Sequence, residues 1–205
     1  MLCLRLEPHA GPGDPLANEA TFETFALVHA SFPHLTKCLS TNGLLLSDRL
    51  ESLLDVKLDT LSVTINALHP WVGAKIYSFV EYRGRTYFGE EGARLLFYNQ
   101  ITGIEKAIKR GLRVKVNSVL IPEVNEQELT ELASILKGIG VRLMNVMPLI
   151  PQAEMAGLPA VPHSTLNNVR DSCEKLIKQF RRCKQCRADA VGIPGMEIKK
   201  EIAIE

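Results

Sequence analysis

The sequence predicts an α/β fold in which helices cover a parallel β-sheet that curls toward a full or partial barrel. Short runs rich in β-branched residues alternate with longer segments that have the helical spacing of apolar residues. Such alternation is typical of parallel strands joined by helical crossovers. Because these crossovers are nearly always right-handed, successive units turn the same way. Functional residues are then expected at the carboxyl ends of the strands.

The predicted elements follow from local patterns. Strands are predicted over residues 2–6, through Leu39, and over residues 60–67, 114–121 and 141–147. Helices are predicted from Asn18, from Ser47 or Asp48, and over residues 90–110, 126–137 and 164–180. The apolar face of the first helix is predicted to consist of Phe22, Phe25, Val28 and Phe32. Five strands are fewer than a complete barrel needs, so we expect the missing element before Met1. We divide the chain into a partial barrel, residues 1–151, and a C-terminal helix with a cysteine-containing tail, residues 152–205.

The composition indicates a globular protein of 205 residues, with 46% hydrophobic and 23% charged residues. The net charge of +1 gives no reason to expect binding to nucleic acid or to an acidic membrane. No apolar run approaches the ~20 residues of a membrane span, and the N-terminus does not resemble a signal peptide. We therefore expect a cytoplasmic protein, in which five cysteines are more often reduced or metal-bound than disulfide-paired.

A glycine-rich turn, Gly11-Pro12-Gly13-Asp14-Pro15, separates the first predicted strand from the first predicted helix. Its glycines permit positive φ and a close approach to a ligand. The backbone amides and Asp14 could bind an amino group or a carboxylate. An ordinary strand–helix turn explains the pattern equally well.

Polar residues follow or interrupt the other predicted strands. Ser40-Thr41-Asn42-Gly43 ends the second strand and is, taken alone, a general turn signal. The remaining members of this group are Asn66, Lys115, Asn117 and Asn145. Buried polar groups need partners, so they either bond to one another inside the barrel or face a ligand. Several at one rim favour a ligand.

The pair Cys183 and Cys186 has the Cys-x-x-Cys spacing with which two thiolates reach one metal centre. Cys38, near the predicted rim, could share a metal site or be a buried structural cysteine. For Cys3 and Cys173 we expect a structural role. The five histidines show no metal-ligand spacing.

Several motifs occur in a distinctive order. They are AGPGDPLAN, CLSTNG, VTINA, KIYSFVEYRG, VKVNSVLIP, NVMPLIP and CKQCRADAVG. Together the seven motifs resemble the NifB family of nitrogenase iron–molybdenum cofactor biosynthesis proteins, in the radical S-adenosylmethionine (SAM) superfamily. The resemblance runs from Ala10 to Gly192.

The resemblance implies a partial (β/α)6-type radical SAM barrel that lacks its first strand and has an irregular cysteine-containing tail. It implies 4Fe-4S clusters and SAM as cofactors, with one-electron cleavage of SAM to a 5′-deoxyadenosyl radical. The implied reaction fuses two 4Fe-4S clusters around a carbide that derives from a SAM methyl group. The implied partners are nitrogenase cofactor carrier and scaffold proteins and an electron donor such as a ferredoxin or flavodoxin, with no nucleic acid and no membrane.

The resemblance also carries site residues. Gly11, Gly13 and Asp14 match the turn at the methionine end of SAM. Ser40 and Asn42 match the strand end beside SAM, and Asn117 matches a strand that faces its ribose. Asn66 is placed with this SAM-binding set as a further polar residue of the rim. Cys183 and Cys186 match the C-terminal cluster ligands, and Cys38 matches a cysteine tied to the substrate clusters.

The sequence departs from the family pattern in two places. It contains no Cys-x-x-x-Cys-x-x-Cys, the loop that binds the radical-generating cluster in the family. Glu123 stands where the family usually has Gly after Ile-Pro, and Glu is tolerated there if φ is negative. Three hypotheses therefore stand: an N-terminally truncated cofactor-assembly enzyme, a non-catalytic iron–sulfur cluster carrier or scaffold, and a radical SAM relative that acts on another substrate.

Overall fold

The computed structural model describes residues 13–181. The helices are α1 Glu19–Ser31, α2 Leu46–Asp55, α3 Pro70–Ile76, α4 Gly89–Lys109, α5 Leu129–Gly138 and α6 His163–Glu174. The strands are β1 Cys38–Thr41, β2 Thr60–Thr64, β3 Val80–Tyr82, β4 Arg85–Tyr87, β5 Arg113–Leu120, β6 Leu143–Pro148 and β7 Lys178–Gln179. Two 3-10 helices, Pro15–Ala17 and Ala153–Met155, lie in the connections.

Five of these strands form one parallel sheet in the order β1-β2-β5-β6-β7. The spatial order is the chain order, so every crossover moves to the next position in the same direction. This winding is that of a barrel rather than of a doubly wound sheet, in which the order reverses. The predicted α/β class and partial barrel are confirmed.

The two faces of the sheet differ in polarity, because side chains alternate along each strand. One face buries apolar side chains, among them Leu39, Leu61, Val63, Val116 and Met144. These side chains belong to the same core cluster as buried residues of the helices. The opposite face carries mainly polar, half-buried side chains and is called the polar face below. It consists of Cys38, Ser40, Thr60, Ser62, Thr64, Arg113, Lys115, Asn117, Val119, Leu143, Asn145 and Met147.

The first helix follows the prediction at its start and departs from it at its end. The side-chain carbonyl of Asn18 accepts a hydrogen bond from the Ala20 amide at 3.0 Å, as expected of an N-cap. Phe22 and Phe25 are buried. Phe32 lies beyond the last helical turn and is 52% exposed, so its predicted place on the apolar face was wrong.

The second helix begins without the predicted side-chain cap. Leu45 occupies the N-cap position and no side chain bonds to the free amides. Asp48 instead binds the β3–β4 hairpin, because its carboxylate accepts from the Tyr82 hydroxyl at 3.0 Å and from Arg83 at 2.8 Å. Asp48 therefore joins two elements rather than starting one.

Two strand regions escaped the sequence prediction. Residues 69–89, predicted only as a long excursion, contain α3 and the antiparallel β3–β4 hairpin. The last predicted helix stops at Glu174, and β7 pairs with β6. The division at residue 151 stays a prediction, and α6 and β7 pack on the main sheet.

Within residues 13–181 there is no helix both long and apolar enough to cross a membrane.

Candidate functional site

The polar face brings four predicted residues, Ser40, Lys115, Asn117 and Asn145, into neighbouring rows. Thr64, Asn117 and Asn145 are register partners across β2, β5 and β6. The row before them contains Ser40, Ser62 and Lys115. Asn117 and Asn145 were expected at strand ends but lie within their strands, because β5 and β6 run on to Leu120 and Pro148. The polar face is thus a continuous hydrogen-bonding surface.

Asp14 fastens the glycine-rich turn to the end of β1. Its carboxylate accepts from the Leu16 amide at 3.0 Å, from the Thr41 hydroxyl at 2.8 Å and from the Asn42 amide at 2.6 Å. Gly13 has φ of +119°, a conformation open to glycine and rarely to other residues. The structure therefore brings Gly13 and Asp14 beside the strand end, with Asp14 engaged by the protein itself.

The Ser40–Gly43 segment is held by a residue that sequence reasoning missed. Gln100 of α4 is only 2% exposed, and its side-chain amino group donates to the Asn42 carbonyl at 2.7 Å and to the Thr64 carbonyl at 3.0 Å. It thereby joins the ends of β1 and β2. A glutamine between Leu96 and Ile104, on the apolar face of the helix, was the available signal.

Two local features shape the same segment. The Asn42 side-chain oxygen accepts from the Leu44 amide at 2.8 Å, which closes a turn. Gly43 has φ of +82°, and a Cβ there would lie 2.7 Å from Val63 Cγ1. A side chain at this position would have to displace the buried side chains of Val63 and Gln100, and the positive φ also favours glycine.

Asn66 is committed to structural bonds. Its side-chain oxygen accepts from the Val119 amide at 2.9 Å, and its backbone carbonyl accepts from the Asn125 side chain at 2.7 Å. Burial raises the pKa of Tyr77 to about 12, and hydrogen bonds with Asn66 act in the opposite direction. The structure places Asn66 in this buried network between β2 and the loop after β5.

Asn117 and Asn145 form an amide pair. The Asn145 amino group donates to the Asn117 side-chain oxygen at 3.3 Å. Asn145 is 1% exposed, and its own side-chain oxygen has no hydrogen-bond partner among the described residues. A buried acceptor without a donor is costly, so its presence calls for a partner such as a ligand, an ion or a water.

The predicted metal ligands are only partly described. Gly11, Cys183 and Cys186 lie outside residues 13–181. Cys38 opens β1 beside Thr60, away from the rim where the sequence predicted it, although it shares the polar face with Ser40. The structural role expected for Cys173 is confirmed, because it is fully buried and burial raises the pKa of its thiol.

A cleft of about 620 Å³ lies beside the strand ends, between the start of α3 and the loop before α5. The buried Glu128 carboxylate accepts from the Leu68 amide at 2.8 Å, the His69 amide at 3.2 Å and His69 Nδ1 at 3.0 Å. The His69 ring stacks on Trp71 with 4.3 Å between centroids. The sequence predicted a role for neither His69 nor Glu128, because their 59-residue separation conceals the pair.

The donor set of the polar face suits a neutral polar ligand such as the nucleoside part of SAM. It offers amides, hydroxyls and an unpaired buried acceptor at Asn145. For an iron–sulfur cluster the described residues alone are insufficient, because within residues 13–181 no three His, Cys, Asp or Glu side chains gather as a metal site.

Comparison with known proteins gives a consistent family. The radical SAM superfamily model matches residues 9–136. The chain is 47% identical over 184 residues to the FeMo cofactor biosynthesis protein NifB of Methanocaldococcus jannaschii, covering 90% of this chain and 61% of the relative. For the NifB of Methanocaldococcus infernus the identity is 47%, covering 94% and 64%. For that of Azotobacter vinelandii it is 39%, covering 96% and 40%.

A solved structure supports the fold. A radical SAM methyltransferase from Sphaerobacter thermophilus matches with a TM-score of 0.64 at 21% identity, covering 82% of this chain and 48% of the other. The chain spans about three fifths of the length of its archaeal relatives and two fifths of that of the Azotobacter relative. The similarity to NifB proteins predicted from the motifs is confirmed, and the chain belongs to the radical SAM superfamily.

Proposed function

We propose that this chain serves the radical SAM-dependent assembly of the precursor of the nitrogenase iron–molybdenum cofactor. The observation that carries the proposal is the 47% identity to archaeal NifB proteins on a fold whose polar face offers hydrogen-bonding groups for SAM. In this proposal the enzyme fuses two 4Fe-4S substrate clusters around a carbide supplied by a SAM methyl group.

The glycine-rich turn and the β1 end would hold the methionine end of SAM. Because the Asp14 carboxylate already accepts from Thr41 and Asn42, we infer that Asp14 positions the turn and that backbone amides of Gly11 and Gly13 contact the ligand. Ser40 and Asn42 line the same strand end. Asn117 lies further along the sheet, on the polar face, where the nucleoside would bind.

Thiolates would hold the clusters. Cys183 and Cys186 supply two ligands with suitable spacing, and Cys38 faces the same side of the sheet as Ser40. The electron for SAM cleavage would come from a radical-generating 4Fe-4S cluster, and the Cys-x-x-x-Cys-x-x-Cys motif that would hold it is not in this sequence. The electron donor would be a ferredoxin or flavodoxin, the product would pass to carrier and scaffold proteins, and the site of action would be the cytoplasm.

A chimera tests the proposal. The segment of the Methanocaldococcus jannaschii relative that precedes the matched region is fused to this chain, and the protein is reconstituted anaerobically with iron and sulfide. We expect the chimera to form 5′-deoxyadenosine from SAM and dithionite, and the chain alone to form none. A folded chimera with its full iron content and no 5′-deoxyadenosine would contradict the proposal.

The alternative function is a non-catalytic cluster carrier or scaffold. It is favoured by one observation: the sequence has the Cys183/Cys186 pair without a Cys-x-x-x-Cys-x-x-Cys. A carrier would retain iron and transfer a cluster to an acceptor protein without consuming SAM. Iron content should fall in the double variant Cys183→Ala/Cys186→Ala under either function, whereas Cys173→Ala serves as the matched control because that thiol is fully buried.

A further inference from the structure

We infer that Asn145 is a specificity-determining residue that accepts a hydrogen bond from the nucleoside part of bound SAM, with Asn117 as its partner. This inference deepens the proposed function and rests on it. It begins from the side-chain oxygen of Asn145, which lies on a residue only 1% exposed and has no hydrogen-bond donor within residues 13–181.

The two side-chain amides of Asn117 and Asn145 place a hydrogen-bond acceptor and a donor side by side. The Asn145 amino group bonds to the Asn117 oxygen at 3.3 Å, which fixes how both side-chain amides are turned. The Asn145 oxygen then remains as an acceptor among the described residues, and the Asn117 side chain carries an amino group that can donate. Neighbouring strands lie about 4.8 Å apart, so a ligand with a donor beside an acceptor can contact both.

The surrounding residues indicate a neutral donor. Lys115 lies on the same face two residues before Asn117, with its ammonium 5.4 Å from the centre of the Phe180 ring. A positive charge here disfavours the ammonium of the methionine end of SAM. The neutral donors of SAM are the ribose hydroxyls and the amino group of adenine, and each has an acceptor beside it.

The other side-chain amides near the strand ends do not supply the missing bond. The amides of Asn66, Asn125 and Gln100 are engaged with backbone groups at 2.7–3.0 Å. The side-chain oxygen of Gln179 is also buried without a partner among the described residues, but Gln179 pairs in register with Met144 and so lies on the apolar face of the sheet. The Asn145 oxygen, on the polar face, differs from the three amides above, whose bonds serve the fold. This difference indicates a contact with a ligand rather than a structural one.

Three probes separate the two nucleoside donors. Adenosine carries both, 2′,3′-dideoxyadenosine lacks the 2′ and 3′ hydroxyls that SAM carries, and purine riboside lacks the amino group. Dissociation constants are measured by NMR titration of the full chain, for the wild type and for Asn145→Leu. The side-chain amide signals of Asn117 and Asn145 report contact directly. Leu143→Met, two residues earlier on the same face of β6, is the matched control.

We expect Asn145→Leu to weaken adenosine binding about tenfold, the usual loss for one hydrogen bond whose partner is left unpaired. Binding of the probe that lacks the bonded group should then be equal in wild type and variant, and Leu143→Met should leave all three constants within about twofold. If the leucine variant does not fold, Asn145→Ala is expected to show the same loss.

Two results would overturn the inference while leaving the proposed function intact. One is equal adenosine binding by wild type and Asn145→Leu. The other is an equal loss for all three probes, which would show that Asn145 acts by packing alone. Failure of the wild type to bind any of the probes would contradict both the inference and the proposed function.

Discussion

At the scale of single residues, the conformation of Glu123 is the clearest departure from expectation. The sequence allowed Glu after Ile-Pro on the condition of negative φ, and the structure gives φ of +63°. For an L-residue with a Cβ this left-handed conformation costs about 1–2 kcal/mol. Glycine adopts this conformation without that penalty, which gives a physical reason for the glycine that the resemblance implies at this position.

We therefore expect Glu123→Gly to raise the free energy of unfolding by about 0.5–1 kcal/mol, because relief of strain exceeds the added entropy of glycine in the unfolded chain. Urea denaturation measures it. Glu126→Gly, at a loop residue without positive φ, is the control and should be neutral or destabilising. A loss of stability in Glu123→Gly would show that strain is not the governing factor.

The buried carboxylate of Glu128 is expected to contribute to the stability of the fold. This carboxylate binds two backbone amides and the His69 ring, and truncation leaves the buried Leu68 amide without a partner. We expect Glu128→Ala to lower the free energy of unfolding by about 2–4 kcal/mol. Glu131→Ala, at an exposed position in the first turn of α5, should change the free energy of unfolding by less than about 0.5 kcal/mol. Similar losses of unfolding free energy in both variants would contradict a stabilising role of the buried Glu128 carboxylate.

Tyr77 should make stability depend on alkaline pH. Its folded pKa of about 12 exceeds the ordinary value of 10.0, so above pH 10 the unfolded chain loses this proton first. Stability from Tyr77 is therefore full below pH 10 and falls as pH rises toward 12. Between pH 9 and pH 11 the wild type should lose about 1.4 kcal/mol more than Tyr77→Phe. Parallel pH profiles of the two proteins would contradict this.

At the scale of elements, the joint between α4 and the sheet depends on one side chain. Gln100 bonds to the carbonyls that end β1 and β2, and leucine of similar size would leave both without this donor. We expect Gln100→Leu to lower the free energy of unfolding by about 2–3 kcal/mol. Tyr98→Leu, at a 67% exposed position of the same helix, is the control. An equal change in the free energy of unfolding for the two substitutions would contradict a stabilising role of the Gln100 hydrogen bonds.

The helices and strands differ in how well the sequence predicts them. The repeating strands and helices were predictable because their apolar spacing is regular, and Asn18 and Gly111 marked helix ends as expected. The β3–β4 hairpin was not, because three-residue strands are too short for a periodic pattern. The prediction for Phe32 was wrong for a related reason. Its spacing continues the apolar face of α1, but the helix has already ended at Ser31.

The candidate site was predictable in composition and only partly in geometry. The polar residues within the strands and at their ends were identified, and the parallel topology brought them together. Which of them remain available to a ligand depended on contacts between distant segments. Asp14 and Asn66 are engaged by Thr41 and Val119, whereas Asn145 retains an unpaired oxygen. No sequence pattern carries that distinction.

At the scale of the whole molecule, the sheet should be most stable at its centre. β2, β5 and β6 have partners on both sides, whereas β7 contributes only two residues and the β3–β4 hairpin forms a separate small sheet. Hydrogen exchange should therefore be slowest for Leu61, Val63, Val116, Ser118 and Met144, and fastest within the hairpin. Hairpin amides protected as strongly as those of β5 would contradict this expectation.

The chain-ordered sheet has a consequence for synthesis on the ribosome. Because each new strand of the main sheet docks beside the strand of that sheet made before it, the sheet can grow from one side as the chain emerges. The longest delay in this process falls between β2 and β5, because α3, the hairpin and α4 are synthesised between these two strands. Until α4 has formed, the ends of β1 and β2 lack the hydrogen bonds that the Gln100 side chain donates to both. Chaperone contact during translation should concentrate in that interval.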